Sequence, residues 1–361
     1  MSLPLISNSA ISTTRRASTG LVAALAVLTL GGCSQPADDD PADAIVRTTT
    51  IIAGAGVVGI ERDTTAACAE PAPADAAPGA GATHPVVHTE GVSDVPVDPQ
   101  RIVVLDSAAL DAVCALGLWE RVVGAVTNDG ARPQPGYLGT GISAIPSVGS
   151  PDSPDVNLIA QASPDLILGS SPVSEDLYDT LAPVAPTVFV GSDQVYWKAQ
   201  FVLAGNALGR ADAARAALEQ YQREAQQLGV DIDAAQTQAS IVRFGADTLD
   251  VEGPATFAGQ VLTDAGVRRP PYQKLEGTVT QPLSGDDIDL AEGDIIYAVL
   301  GGEDGKAHAE DVMSGEPWED LEAAVDRRVF AVEGDVWGGN GLVAARAVLT
   351  DLRNTLNTYV G

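Results

Sequence analysis

Three histidines, three cysteines and one glycine cluster are the residues whose types and spacing could do chemistry in this chain. His84-Pro-Val-Val-His88 has the spacing of a helical zinc pair, but Pro85 and the linker-like surroundings argue against a helix there. His308 stands far off in sequence, and gripping a bare Zn²⁺ or Mn²⁺ would take two or more histidines facing one cleft. Asp286-Asp287-Ile288-Asp289 lacks the glycine and glutamate spacing of a calcium loop. No Gly-x-Ser-x-Gly occurs, and no serine has an evident histidine base, so hydrolysis has no machinery. Gly54-Ala55-Gly56-Val57-Val58-Gly59 matches the dinucleotide fingerprint, which needs a strand before it and a helix after it. Ile45 to Ala53 is strand-like, but Glu61 to Cys68 soon runs into Pro71 and Pro73, and no second strand follows at the right distance. Neither catalysis, a resident metal nor a cofactor is expected.

The cysteines carry more. Cys33 follows Leu30-Gly31-Gly32, at the end of an apolar run from Leu21 to Leu28 that is itself preceded by Arg15 and Arg16. A charged region, an apolar core too short to span comfortably and small residues at a cut site make this order similar to that of bacterial lipoprotein signal peptides. The resemblance implies that residues 1–32 are removed and that the Cys33 thiol is diacylated, tethering the chain outside the cytoplasm. Arg15-Arg16 after Thr13-Thr14 hints at twin-arginine export, yet the hydrophobic residues usual after such a pair are missing; the route stays open. Export to an oxidising compartment permits a Cys68–Cys114 disulfide, while a buried free Cys114 with an unattached Cys68 fits the residues equally.

Charge narrows the partners. The net charge is −29, and removing residues 1–32, which hold two arginines and no acid, takes it to −31. Such a chain repels nucleic acid and anionic lipid headgroups, so membrane contact is expected through the lipid anchor only.

These residues must be positioned by regular elements, and the pattern supplies them. Residues 33–96 read as a tether and Pro/Ala-rich linker with one strand-like segment. Over 97–195, short β-branched strands alternate with helices: Arg101–Leu105, Ser107 to Leu118, Arg121–Val126, Val156 to Ala162, Asp165–Leu168, a helix capped at Ser174, and Thr187–Val190. Residues 196–229 are almost all helix-forming, with a break at Gly209-Arg210. Alternation resumes over 230–361, with strands at Ser240–Phe244, Asp294–Leu300 and Val329–Val332 and helices at Phe257–Ala265, Trp318–Val325 and Leu342–Tyr359. The fold class is therefore α/β, with two Rossmann-like lobes joined by a single long helix and a cleft between them as the natural ligand site.

Asp98-Pro-Gln-Arg-Ile-Val-Val-Leu105, Ala115-Leu-Gly-Leu118 followed by Arg121-Val-Val-Gly124, Ser163-Pro-Asp-Leu-Ile-Leu168, Phe257 to Gly266 and Gly293-Asp-Ile-Ile-Tyr297 recur in one order across both lobes. From about residue 86 to the C-terminus the chain thus resembles the solute-binding lipoproteins that deliver ferric siderophores, haem or cobalamin to ABC importers, a clamshell of the class III periplasmic-binding-protein type. The resemblance implies a monomer that presents a ferric siderophore to an ABC permease. It implies docking carboxylates at positions that fall on Asn157, with Asp155 nearby as a substitute, and on Asp286. Ligand contacts are expected from Trp197, Tyr196, Arg243, Trp337 and Ser107 at lobe edges. Core packing for the tryptophans, a salt bridge for Arg243 and helix capping for Ser107 stand as the alternatives. Haem or a corrinoid is the alternative ligand; haem would need Tyr272 or Tyr297 as an axial ligand. An envelope interaction or sensing role without transport is the alternative function, motivated by the amide at Asn157. A rigid inter-lobe helix predicts small closure and a largely preformed cleft.

Overall fold

Residue 51 already lies on a sheet edge, well inside the stretch that reads as linker. The computed structural model describes residues 50–76, 81–128, 132–275 and 279–356; Arg15, Arg16 and Cys33 lie outside the described residues. Strands β1 (Ile51–Ile52) and β2 (Ala55–Val57) form a hairpin whose two turn residues, Ala53 and Gly54, have φ of 45° and 89°. That left-handed pair is what a two-residue hairpin turn demands. The fingerprint glycines thus serve a turn and a strand, and among the described residues no helix follows them before Thr83.

Beyond β2 the chain crosses the molecule as a strap. Arg62 donates to Glu333 at 2.9 Å and to Asp351 at 2.8 Å. Six residues on, Cys68 is disulfide-bonded to Cys114. The Ala69 and Ala72 amides donate to the Cys114 and Leu116 carbonyls, and Asp75 accepts from the Ala211 amide. Residues 83–96, read as linker, instead form the hairpin β3 (Thr83–His88) and β4 (Gly91–Pro96). Val86 and Val95 point inward while Val87 and Val92 face solvent, the alternation of a half-buried hairpin. His84 and His88 therefore stand on a strand; His84 pairs with the Asn206 carbonyl and His88 with the Ser93 hydroxyl.

The first lobe follows as β5 (Ile102–Val104), α1 (Ser107–Ala115), β6 (Val122–Ala125), the short hairpin β7 (Gly149–Ser150) and β8 (Ser153–Pro154), α2 (Val156–Gln161), β9 (Leu166–Gly169), α3 (Leu177–Leu181) and β10 (Thr187–Phe189). Its main sheet has four parallel strands in the order β10-β9-β5-β6. Ile102 and Val104 face one layer and Val103 the other, so the sheet is covered on both sides, as parallel sheets are. Asp106, not Ser107 or any later serine, caps α1 by accepting from the Ala109 amide. Ser174 likewise does not cap α3, which begins two residues later than its sequence suggests, with Asp176 at the cap position.

Helix α4 (Trp197–Ala207) ends at Gly209, whose φ of 64° and close approach to the Val97 carbonyl leave no room for a side chain. Helix α5 (Ala211–Asp231) then runs about 31 Å. Ala214, Leu218, Tyr221, Ala225 and Leu228 make its buried stripe.

The second lobe contains β11 (Ala239–Phe244), β12 (Leu249–Glu252), α6 (Phe257–Asp264), β13 (Thr280–Pro282), β14 (Ile295–Leu300), α7 (Gly302–Met313), α8 (Glu316–Glu319), α9 (Glu322–Val325), β15 (Val329–Glu333), α10 (Gly334–Trp337) and α11 (Leu342–Leu356). The helix expected from Trp318 to Val325 is two short ones, because the chain turns out of helical geometry at Leu321. The sheet order is β1-β2-β15-β14-β11-β12-β13. Strand β2 joins it parallel to β15, so the segment before the first lobe completes the sheet of the second. No helix among the described residues is long and apolar enough to cross a membrane.

Candidate functional site

Parallel strands present their carboxyl ends to one crevice, and here four of them do so. Residues just past those ends line a cleft of about 370 Å³: Ser107 after β5, Asn128 after β6, Ser170 after β9 and Ser192 after β10. Asp106, Ala108, Pro135, Pro151 and Gln200 complete the first-lobe side. The second lobe supplies Gly334, Asp335, Gly338, Gly339 and Asn340, the stretch joining β15 to α11. A larger hollow of about 660 Å³ lies at the outer sheet edge, lined by Ile51, Met313, Trp318 and Arg327 among others. It belongs to one lobe and has mostly apolar walls, whereas the inter-lobe cleft gathers polar groups from six loops; we assign the candidate site to the cleft.

Not every polar group in the cleft is available. The Asp106 carboxylate accepts from the Ala109 amide and from both the amide and the hydroxyl of Ser170, so it ties α1 to the end of β9. The Asn340 Oδ1 is buried without a hydrogen-bond partner, in a residue held at φ 51°. Such an acceptor is satisfied by a donor from outside the fold. The Asp335 carboxyl is pushed above its ordinary range by burial and by the neighbouring Glu333, with Arg132 acting the other way. Hydroxyl and amide groups thus dominate a cleft that can offer many single hydrogen bonds to an oxygen-rich solute.

The sequence-predicted residues divide. Ser107 lines the cleft. Arg243, on β11, pairs through Nε with Glu252, the alternative foreseen for it. Its two terminal nitrogens nevertheless sit 3.4 and 3.5 Å from where a Cβ on Gly338 would be, so they back the cleft wall there. Trp197 and Trp337 do not reach the cleft. Trp197 is fully buried, edge-on to Tyr221 and Phe257, because it plugs the joint between α4, α5 and α6. Trp337 is fully buried against Tyr297, and its Nε1 donates to Asp351 at 3.0 Å. Tyr196 is 61 % exposed and is not among the lining residues. The expected aromatic faces are therefore absent: among the described residues lining the cleft none is aromatic, lysine or arginine.

The haem alternative loses its axial candidates. Tyr297 is fully buried with its hydroxyl 2.6 Å from that of Thr355, and the Tyr272 hydroxyl donates to the Glu292 carbonyl away from the cleft. At the docking positions, Asn157 is exposed on α2, while Asp155 caps that helix by accepting from the Asn157 and Leu158 amides. Asp286 is exposed in the 3₁₀ turn Gly285–Ala291. Asn128, Ser170, Ser192, Gln200, Asp335 and Asn340 were missed from the sequence. A search for polar residues one to three places past each parallel strand would have found the first three.

Known proteins resemble this chain in sequence and fold. The probable siderophore-binding lipoprotein YfiY of Bacillus subtilis is 29 % identical over 283 residues, which cover 75 % of this chain and 86 % of that protein. The achromobactin-binding periplasmic protein of Dickeya dadantii is 27 % identical over 265 residues, covering 70 % and 85 %. The crystal structure of Staphylococcus aureus SirA complexed with staphyloferrin B superposes with a TM-score of 0.66 at 27 % identity, covering 76 % of this chain and 99 % of that one. The family model for periplasmic binding proteins matches residues 102–336, from the first strand of the first lobe to the cleft wall of the second. By that match and by its two-lobed α/β architecture, this chain belongs to the periplasmic binding protein family.

Proposed function

We propose that this chain is an extracytoplasmic solute-binding lipoprotein that captures a ferric siderophore between its lobes and hands it to an ABC importer. The observation that carries the reading is the inter-lobe cleft at the strand ends, rich in hydroxyl and amide groups, in a family whose relatives are named for siderophore binding. A ferric siderophore presents a rim of oxygen atoms, and single hydrogen bonds from Ser107, Asn128, Ser170, Ser192 and Gln200 suit it. Arg243, ion-paired with Glu252, backs Gly338 behind the second wall. No covalent step is involved, so function rests on affinity and release. In this reading Cys33 carries the lipid, the protein acts as a monomer, and Asp155 or Asn157 on α2 and Asp286 on the second lobe meet the permease.

The test is calorimetric titration of residues 34–361 with ferric citrate, a ferric trihydroxamate, a ferric catecholate, the iron-free chelators and haem. Saturable binding of one ferric class at submicromolar concentration, with much weaker binding of its iron-free form, is the expected result. Binding of haem alone, or of nothing in the panel, would overturn the reading. A second reading, an envelope sensor that no longer docks a permease, is favoured by one observation: the first-lobe position is an amide, and the nearby Asp155 carboxylate is occupied as a helix cap. Asn157→Glu distinguishes the two. Faster chelate uptake by cells carrying it supports transport, and unchanged uptake of every chelate supports the sensor.

A further inference from the structure

Helix α11 begins at Leu342, and the residue before it, Gly341, has no side chain with which to cap the helix. Its free amides are capped from the other lobe. The carboxylate of Asp111, on α1, accepts from the Val343 amide through one oxygen and from the Ala344 amide through the other, both at 2.9 Å. Asp111 is fully buried. A Cβ on Gly341 would lie 2.2 Å from the Asp111 carboxyl carbon, so the glycine and the distant carboxylate fit one space. Helix-start amides need an acceptor, and the Asp111 carboxyl supplies one oxygen to each of two.

What the cap holds matters more than the cap itself. Immediately before Gly341 stand Gly338, Gly339 and Asn340, the second wall of the cleft. Within α1, Asp111 stands one turn beyond Ser107 and Ala108, which line the opposite wall. Tyr137, also from the first lobe, sits beneath the same stretch: a Cβ on Gly339 would meet its hydroxyl at 3.2 Å. We infer that Asp111 is a positioning residue for the ligand, setting the distance between the cleft walls by capping α11 across the lobes. The inference deepens the proposed solute-binding role and rests on it for its ligand arm alone.

The experiment compares wild type, Asp111→Asn, the double variant Asp111→Gly/Gly341→Ser, in which the Asp111 Cβ that would lie 2.6 Å from a Cβ at 341 is also removed, and Leu352→Ala, a buried change near the far end of α11. The double variant gives α11 a serine cap of its own and cuts the link between lobes. Amide hydrogen exchange on ligand-free protein reads the cap, and calorimetry with ferric citrate and a ferric trihydroxamate reads the cleft. Asp111→Asn should speed exchange at Val343 and Ala344 about tenfold and weaken chelate binding about tenfold. The double variant should keep these amides protected yet still bind about tenfold more weakly, and Leu352→Ala should lose thermal stability with binding within twofold of wild type. Unchanged exchange at Val343 and Ala344 in Asp111→Asn would overturn the cap whether or not any chelate binds. Faster exchange with wild-type affinity, or wild-type affinity in the double variant, would overturn the positioning role. If wild type binds neither chelate nor the rest of the panel above, that outcome counts against the proposed function, and the coupling between the lobes is then read from exchange at Gly338–Asn340, where wild-type rates in the double variant would refute it.

Discussion

Asp98 accepts from Arg121 and from Arg210, each at 2.6 Å, where the first lobe meets the turn between α4 and α5. Partial burial pushes its carboxyl up, but the hydrogen bonds from Arg121 and Arg210 outweigh this and hold it below the ordinary range. Its contribution to stability is therefore present above the unfolded carboxyl pKa and is lost as pH falls through the lower folded value. Asp111 behaves in the opposite sense. Burial pushes it up to about 6, against the amides of Val343 and Ala344 and the Tyr137 hydroxyl that face it. Its contribution is present below the unfolded value of 3.8 and is lost as pH rises through about 6. The stability advantage of wild type over Asp111→Asn should accordingly shrink between pH 4 and pH 7, by on the order of 3 kcal/mol. Denaturant unfolding at the two pH values checks it, and an advantage that grows with pH would contradict the burial-driven shift. Neither partnership could be read from the sequence, because each joins groups more than twenty residues apart through tertiary packing. Arg243 with Glu252 was within reach, since an antiparallel neighbour strand brings a nearby acid alongside.

Among the elements, those with local periodicity were legible. The parallel strands, the break at Gly209 and the long α5 all carry their signal within one window of residues. The hairpin of β3 and β4 was hidden by Pro85 and by the Pro-rich stretch before it, although Val86 and Val95 alternate correctly with exposed neighbours. The cleft's position was legible from strand ends; its chemistry was misread because rare aromatics drew attention away from ordinary serines. Trp197 shows why. At a fully buried joint of three helices an indole contributes packing, and its place at the start of α4 gave no sign of which way it faced. Trp197→Ala should cost about 3–5 kcal/mol of unfolding free energy. Its affinity for a cleft ligand should stay within about threefold of wild type, as titration would show; a hundredfold loss would put the ring at the site after all.

For the whole molecule, the segment from Ile51 to Asp75 was legible only in pieces, as a strand-like stretch ending at Ala53 and a Cys68–Cys114 bridge that the residues left open. It pairs with β15 of the second lobe, is bonded covalently to α1 of the first, and ends against the start of α5. The two lobes are thus joined twice, once by α5 and once by this strap. Strand addition from outside the repeating pattern leaves only a faint local trace, here an Ile-Ile pair before Ala-Gly. The disulfide closes a separation of 46 residues, and by chain entropy its removal should cost about 4 kcal/mol. The double variant Cys68→Ser/Cys114→Ser, unfolded in denaturant beside the oxidised wild type, measures that cost. A difference below about 1 kcal/mol would mean that the hydrogen bonds of the strap hold it without the covalent link.

The strap also decides where a leash would be fastened. If Cys33 carries a lipid as proposed, the first described strand after it is β1, at the outer sheet edge of the second lobe, so the lipid would pull there and not on the first lobe. From Cys33 to Thr50 is seventeen peptide steps, a reach of at most roughly 60 Å. Freed back to Cys68, the same leash would be about twice as long, and the cleft could wander correspondingly farther from the bilayer. Beta-strand pairing at one sheet edge would thus govern how close to the membrane, and which lobe first, the protein presents its cargo.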